Sequence, residues 1–444
     1  MVVYSPTLLP LLIVAGAAVV AFLGDALRIG KIMPWWGGLA AIAAAISIGV
    51  EKLTLGNFLY WDSSATLLGV YLSLATAAGL TFVAFHPLPR KLPGSFTGLI
   101  LTALTGGLIL VSGQSLLFLF VGLELQVMPF FALLAWPGSG RGALEAAFKY
   151  ALLAALASAQ FAIGIALIYL GDGSLAVIPP FSGMADNVYG LVGVLALLAA
   201  LSFEIAAAPF HAWVADIYQG APAPMLIFLS GVSKVAVMGA LITLASATPR
   251  LQIPVAIIAA ASILIGNLLA YRAGHLRRML GYSAIAHAGY FLAALAAGPL
   301  GIIAASLYAL VYGIMNVGTF MGLSSLPESS VAIPWAALRE RQPVLAGLLG
   351  VTLLSLAGMP PSIGFFAKLF VIIADIHGQL LWLALLIALG SAFSFVYYLS
   401  ALWKPSTLSN PDRLLCRRSW ESFAALGILI LVLGWVLVPY GMGG

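Results

Sequence analysis

Apolar runs near twenty residues long follow one another along this 444-residue chain, and twenty helical residues are what about 30 Å of hydrocarbon requires. About fourteen can be marked: residues 7–24, 32–50, 65–86, 96–112, 114–136, 144–170, 189–208, 224–246, 252–271, 279–297, 299–325, 343–378, 380–403 and 422–441. Inside hydrocarbon every backbone N–H and C=O must find its partner within the segment, which for runs of this length means helix. With 63% hydrophobic and 7% charged residues the chain excludes a soluble globular domain, and no loop has room for one. The expectation is an all-α integral membrane protein, residues 1–444 forming a single polytopic domain. The first run lacks a basic leader and a small-residue cleavage site, so it reads as a retained span rather than a signal peptide.

The net charge of +5 invites a nucleic-acid reading, but its distribution argues against one. Loops that follow odd-numbered spans hold Arg28, Lys31, Arg90, Lys91, Arg141, Lys149, Arg272, Arg277, Arg278, Arg339, Arg341, Lys404, Arg413, Arg417 and Arg418. Loops after even-numbered spans hold Lys52 and Arg250. The bias is 15 against 2, and the positive-inside rule then sets odd loops in the cytoplasm and both termini on the other side. A miscounted span would scramble that split. The basic surplus is therefore topogenic, and the expected surroundings are lipid rather than nucleic acid.

Cys416 is the one cysteine, which excludes a disulfide framework, a Cys-ligated iron–sulfur cluster and a Cys-rich zinc site within the chain. The five histidines, His86, His211, His275, His287 and His377, have no metal-ligand spacing, and no Gly-rich phosphate loop is present. No cofactor and no metal are expected here; redox chemistry, if any, belongs to another subunit.

Two segments interrupt the helical pattern. Residues 343–378 would make a helix of about 54 Å, well beyond a bilayer, and Pro360 and Pro361 break it. A second break is expected at Pro209, in Glu204-Ile-Ala-Ala-Ala-Pro209-Phe210-His211. Broken helices at matching positions of two halves point to inverted repeats around a midplane ion path. Spans four to eight (about 96–246) would match spans nine to thirteen (about 252–403), with a break in the fourth member of each set. Proline kinks that merely fit neighbouring helices are the alternative.

Two lysines, Lys234 and Lys368, and two glutamates, Glu124 and Glu204, lie inside apolar runs. At membrane depth such a side chain costs roughly 2.5–3.5 kcal/mol on insertion scales, so it faces a protein interior, a partner or water. Glu124 and Lys234 are each about ten residues into their spans, some 15 Å deep. Glu204 precedes the Pro209 break and Lys368 follows the Pro360-Pro361 break. Static ion pairs between helices would account for one such residue; four of both signs read as a route for ions or protons.

The same residues carry a resemblance. The run Phe203-Glu204-Ile-Ala-Ala-Ala-Pro-Phe-His-Ala-Trp213, continuing through Asp216-Ile-Tyr-Gln-Gly-Ala-Pro-Ala-Pro224, resembles the seventh-helix signature of the antiporter-like subunits of respiratory complex I. Its Asp-x-Tyr-x-Gly-x-Pro-x-Pro form is similar to the N-type subunit, subunit 2 in mitochondria. Arg278-Met-Leu-Gly-Tyr-Ser-Ala-Ile-Ala-His287-Ala-Gly-Tyr290 resembles that subunit's tenth helix, and Leu354-Ser-Leu-Ala-Gly-Met-Pro-Pro361 with Gly364-Phe-Phe-Ala-Lys368 its twelfth. The likeness spans roughly residues 95–405, and the chain ends after its fourteenth span without the long lateral helix of the L-type subunit.

The resemblance implies two inverted five-helix repeats with helices seven and twelve broken. It implies a proton path in which Glu124 is the fifth-helix glutamate, Lys234 the eighth-helix lysine, Lys368 the twelfth-helix lysine and His287 a tenth-helix histidine near the central water file. On its own, a histidine in an apolar helix is as well read as a packing residue. The resemblance further implies other membrane-arm subunits as partners, iron–sulfur clusters, flavin and quinone in those partners, and a prokaryotic cytoplasmic membrane as the location. The departure is Glu204, where the family has a lysine. Two carboxylates could share one proton, or Glu204 could pair with Lys234; loss of coupling in this half is a third outcome.

Three functions stay open at this stage. The first is a proton-translocating subunit of a complex-I-like enzyme, and so part of a translocase. The second is a subunit of a multisubunit sodium/proton antiporter, and the third a non-pumping structural subunit. Modules fed by NADH, ferredoxin, reduced deazaflavin or hydrogen all attach to similar membrane arms, and a carboxylate serves proton and sodium alike.

Overall fold

The structure is a computed structural model that describes residues 8–50, 59–86, 92–137, 140–177, 187–326 and 335–403. Among these residues there is no β-strand, only two isolated bridges, Leu59 with Gly113 and Ser115 with Ala176. The helices run in the order α1 (Leu9–Ala26), α2 (Met33–Val50), α3 (Ser63–Ala84), α4 (Pro93–Ser112), α5 (Leu116–Leu134), α6 (Arg141–Asp172) and α7 (Val188–Glu204). Then come α8 (Val214–Gly220), α9 (Ala223–Phe228), α10 (Lys234–Ala247), α11 (Gln252–Arg272), α12 (Leu276–Ala296) and α13 (Pro299–Ser324). The last are α14 (Trp335–Arg341), α15 (Pro343–Ala357), α16 (Ile363–His377) and α17 (Leu381–Trp403).

Eleven helical segments among the described residues are long and apolar enough to cross a membrane. The seventh expected span appears as the shorter apolar helix α7, and the twelfth as α15 and α16 on either side of a break. The fourteenth, 422–441, lies outside the described residues, as does Cys416. The fold class is therefore that of an all-helical, multi-span membrane protein. Outward apolar side chains fit this setting: Phe148, Leu156, Ile163 and Leu170 of α6 are exposed, a surface that lipid covers at no cost.

The chain divides into two compact units, one of Met1–Ala206 with Val232–Pro254 and one of Ala207–Gly231 with Val255–Gly444. In the first, helix ends are tied by side chains. The Asp25 carboxylate at the end of α1 accepts from Gly94 N at 2.9 Å, Ser95 N at 2.6 Å and Ser95 Oγ at 2.7 Å. It thus satisfies the opening amides of α4, where an anion is favoured. Asn187 caps α7 through Gly190 N at 2.7 Å and donates to Asp172 at the end of α6 at 2.9 Å.

Small residues let these helices touch backbone to backbone, the packing that replaces hydrophobic drive in lipid. A Cβ on Gly193 would sit 2.7 Å from the Gly164 carbonyl oxygen, which fixes α7 on α6. One on Gly106 would sit 2.5 Å from the Gly122 carbonyl oxygen, which fixes α4 on α5. These two crossings orient the helices that carry Glu124, Tyr150 and Glu204.

In the second unit α8 lies on α12, α9 on α13, and α16 on α12 and α13. Arg278 at the start of α12 pairs with Asp216 of α8 at 2.8 Å and donates to Gln219 at 3.2 Å. Arg277 donates to the Ala221 carbonyl at 2.8 Å. The Asp216 and Arg278 motifs, far apart in sequence, are thus two sides of one contact.

Candidate functional site

Both expected breaks are present. The first comes earlier than expected: α7 stops at Glu204, and a turn carrying Ala206 at φ 63° leads to Ala208-Pro209, an X-Pro bond in cis. The positive φ ends the helix before proline has any effect, since no L-residue continues a right-handed helix from there. Past the turn, the Ala208 amide donates to Ser262 Oγ at 2.9 Å, so an amide exposed by the break is satisfied by protein. A further interruption was not expected from sequence. Leu229–Ser233 form a π-turn between α9 and α10, just ahead of Lys234.

In the first unit Glu204, at the last residue of α7, accepts a hydrogen bond from the Tyr150 hydroxyl of α6 at 3.2 Å, and both residues are buried. Glu124 of α5 and Lys234 of α10 are near enough to bear on the charge of Glu204. Glu124 is half-buried, and its Oε1 has no hydrogen-bond partner among the described residues. Pro129, one turn on, leaves the Leu125 carbonyl without its helical donor. Gln126 holds the π-turn, its Nε2 donating to the Ser233 carbonyl at 2.6 Å and to Ser233 Oγ at 2.7 Å. Glu124, Glu204 and Lys234 are thus gathered together, with Tyr150 and Gln126 as members that sequence reasoning missed.

In the second unit the α15–α16 break builds a cation seat. The Gly358 amide bonds to Leu354 O at 3.1 Å and Met359 N to the same oxygen at 3.0 Å, while Gly358 takes φ 89°. That left-handed cap leaves the carbonyls of Leu356 and Ala357 beyond the helical pattern. Lys368 Nζ donates to Leu356 O at 3.1 Å, Ala357 O at 2.8 Å and Ser391 Oγ at 3.2 Å. It also lies 5.0 Å from the centroid of the Tyr290 ring. A helix C-terminus and an aromatic face both favour a cation, which is how a lysine only 3% exposed is accommodated.

His287 is buried beside this seat, with Nδ1 2.7 Å from the Tyr308 hydroxyl. Its ring centroid is 5.7 Å from that of Tyr290 and 5.5 Å from that of Tyr312. Other buried hydroxyls are bonded nearby: Tyr218 donates to Ser230 Oγ at 2.7 Å, and Ser230 to Asn316 Oδ1 at 2.9 Å. Tyr397 donates to Asn267 Oδ1 at 3.1 Å, whose Nδ2 reaches Tyr290 at 3.3 Å. The available signal was weak, asparagine and tyrosine inside apolar spans, polar groups that avoid lipid. His287 and Lys368 belong to this unit and Glu124, Glu204 and Lys234 to the other. Among the described residues no group of three or more His, Cys, Asp or Glu side chains could hold a metal ion.

A multi-span helical protein whose broken helices seat buried acids and lysines among hydroxyls and helix-end carbonyls is of the antiporter-like class of membrane proteins. The chain belongs to the NADH:quinone oxidoreductase/Mrp antiporter transmembrane family, whose model matches residues 113–394, and within it to the N-type subunits of complex I. It is 36% identical over 426 residues to NADH-quinone oxidoreductase subunit N of Ectopseudomonas mendocina, covering 89% of this chain and 85% of that one. Among solved structures it is similar to a chain of respiratory complex I from Thermus thermophilus with bound aureothin, at TM-score 0.84 and 30% identity over 96% of each chain. A chain of the Mrp complex from Dietzia sp. DQ12-45-1b has TM-score 0.85 at 20% identity, over 98% of this chain and 51% of that one, a likeness of fold alone.

Proposed function

We propose that this chain is a proton-translocating, antiporter-like subunit of a complex-I-like redox pump, assembled with other membrane-arm subunits in a prokaryotic cytoplasmic membrane. Electron transfer, with its iron–sulfur clusters, flavin and quinone, belongs to those partners. The charge bias of the loops supports a topology with both termini on the non-cytoplasmic side. The two breaks, each marked by a left-handed residue and a following proline, support the reading of residues 96–246 and 252–403 as inverted repeats.

The observation that carries the proposal is the seat of Lys368. Its ammonium is held by two helix-end carbonyls and a serine hydroxyl, contacts that orient the nitrogen, and among the described residues no carboxylate is paired with it. Such a group gives up its proton when a nearby positive charge arrives and regains it when a negative one does. His287 and the tyrosine hydroxyls around it supply donors and acceptors for that exchange. In the other unit Glu124, Glu204 and Lys234 form a second set whose members respond to one another's charge. Tyr150 keeps Glu204 hydrogen-bonded as its pairing with Glu124 or Lys234 changes. Glu204 thereby works in place of the family lysine.

Lys368→Ala in the purified, reconstituted complex tests the proposal. The expected result is intact assembly with a reduced ratio of protons moved per electron; an unchanged ratio overturns it. A sodium/proton antiporter subunit is the second reading, favoured by the fold shared with the Mrp chain. Co-purification with iron–sulfur subunits separates the two.

A further inference from the structure

Asp375 is a buried carboxylate to which the mechanism above gives no task. It is 0% exposed, and neither carboxylate oxygen has a hydrogen-bond partner among the described residues. An unbonded acid in an apolar interior is costly, and its place in the last turn of α16 adds the unfavourable end of the helix dipole. Packing gives no reason to keep an aspartate there; alanine or leucine would serve. The buried stripe of α16 runs Gly364, Lys368, Val371, Asp375, so the lysine and the acid share one face two turns apart, about 10 Å along the axis. Val371, fully buried, is between them.

The position is near a helix end. The Leu380 amide returns to the Asp375 carbonyl at 2.8 Å, closing the α16–α17 turn. A Cβ on Gly378 would meet the Ala297 carbonyl at 2.8 Å, so this turn lies against the one joining α12 and α13. By the charge bias both turns belong to the non-cytoplasmic face.

We propose that Asp375 is the proton-release residue of this half of the chain, a reading that rests on Lys368 as a carrier. The ammonium of Lys368 gives one proton, through water moving past Val371, to the Asp375 carboxylate; the lysine becomes the neutral amine and the aspartate the neutral acid. The acid then passes that proton to water at the non-cytoplasmic surface and regains its charge, while Lys368 is reprotonated from the His287 side. Val371 separates the two, so transfer waits on water passing it; release from Asp375 on one side and reprotonation of Lys368 from the other give the direction.

The test compares Asp375→Asn, Asp375→Glu and Lys368→Ala in the reconstituted complex, reading protons per electron and redox-induced infrared difference spectra. The expected result is a loss of this subunit's proton share in Asp375→Asn with electron transfer kept, recovery in Asp375→Glu, and disappearance of a protonated-carboxyl band in Asp375→Asn. A full ratio in Asp375→Asn alongside a reduced one in Lys368→Ala overturns the inference and leaves the proposed function standing. A full ratio in Lys368→Ala removes both. Should Asp375→Asn fail to assemble, the native complex is treated with dicyclohexylcarbodiimide, an apolar reagent that adds to protonated carboxyls, and mapped by mass spectrometry. An adduct on Asp375 supports the inference and its absence overturns it.

Discussion

Gly358→Ala probes the cation seat without touching the cation. Gly358 takes φ 89°, where an L-residue costs about 1–2 kcal/mol. The added Cβ would be 3.1 Å from both Cδ and Nζ of Lys368 and 3.2 Å from Ser391 Oγ. These contacts are tight enough that the lysine tip must give by a few tenths of an ångström, and where that breaks one hydrogen bond from the charged donor the cost is about 1.5–3 kcal/mol. Together the substitution costs about 2.5–5 kcal/mol. The two parts separate in a double-mutant cycle with Lys368→Ala: without the lysine tip, Gly358→Ala retains the backbone part alone, about 1–2 kcal/mol. The assay is denaturant unfolding of the purified protein for each member of the cycle, with proton-to-electron ratios in the reconstituted complex. An equal cost with and without Lys368, or an unchanged ratio in Gly358→Ala, would refute the seat as described.

Glu204→Gln keeps an oxygen for the Tyr150 hydroxyl but cannot exchange a proton, so assembly should survive while protons per electron fall; full pumping in reconstituted vesicles would leave the scaffold reading as the better account. Gln126→Ala removes two hydrogen bonds from Ser233 and should lower stability by about 1–3 kcal/mol, read as faster hydrogen exchange in residues 229–236; unchanged exchange would count against the clamp. His275 caps α12 by accepting from Arg277 N at 3.2 Å. Burial first, and the charges of Arg277 and Arg278 second, lower its pKa. The stability contributed by the neutral imidazole, cap included, is therefore complete above the unfolded value of about 6.5 and is lost as pH falls through the lower folded value. His275→Asn, which caps without titrating, should abolish the acid-dependent rise in exchange at the start of α12.

The spans were legible because lipid makes hydropathy a direct record of depth, and the breaks because proline stands out in an apolar run. Glu124, Glu204, Lys234 and Lys368 were legible for the same reason, since each is expensive where it lies. Tyr150, Gln126, Tyr290 and Ser391 were not. Hydroxyls and amides are tolerated in membrane helices, and which of them meets which is decided by helix crossings such as Gly164 on Gly193, set far away in sequence. The end of α7 at Glu204 depends on the backbone angle of Ala206, a residue with no preference for that conformation. Asp375 did carry a signal, an acid in an apolar run, but it lies beyond Lys368, where the twelfth-helix resemblance ends.

The π-turn at Leu229–Ser233 fixes the compass bearing of Lys234. A π-turn holds one residue more than an α-turn, and each residue rotates a helix by about 100°. Deleting any one residue of this turn would let α9 and α10 join as a regular helix, with every side chain beyond it swung by that angle. Lys234 would then leave the company of Glu204 with its identity, depth and surroundings of apolar sequence all unaltered. A comparison of chains that counts only which residues are present would score such a variant as intact. The extra residue is thus a phase setting, and its loss would turn the lysine's side chain away as surely as a substitution would remove it.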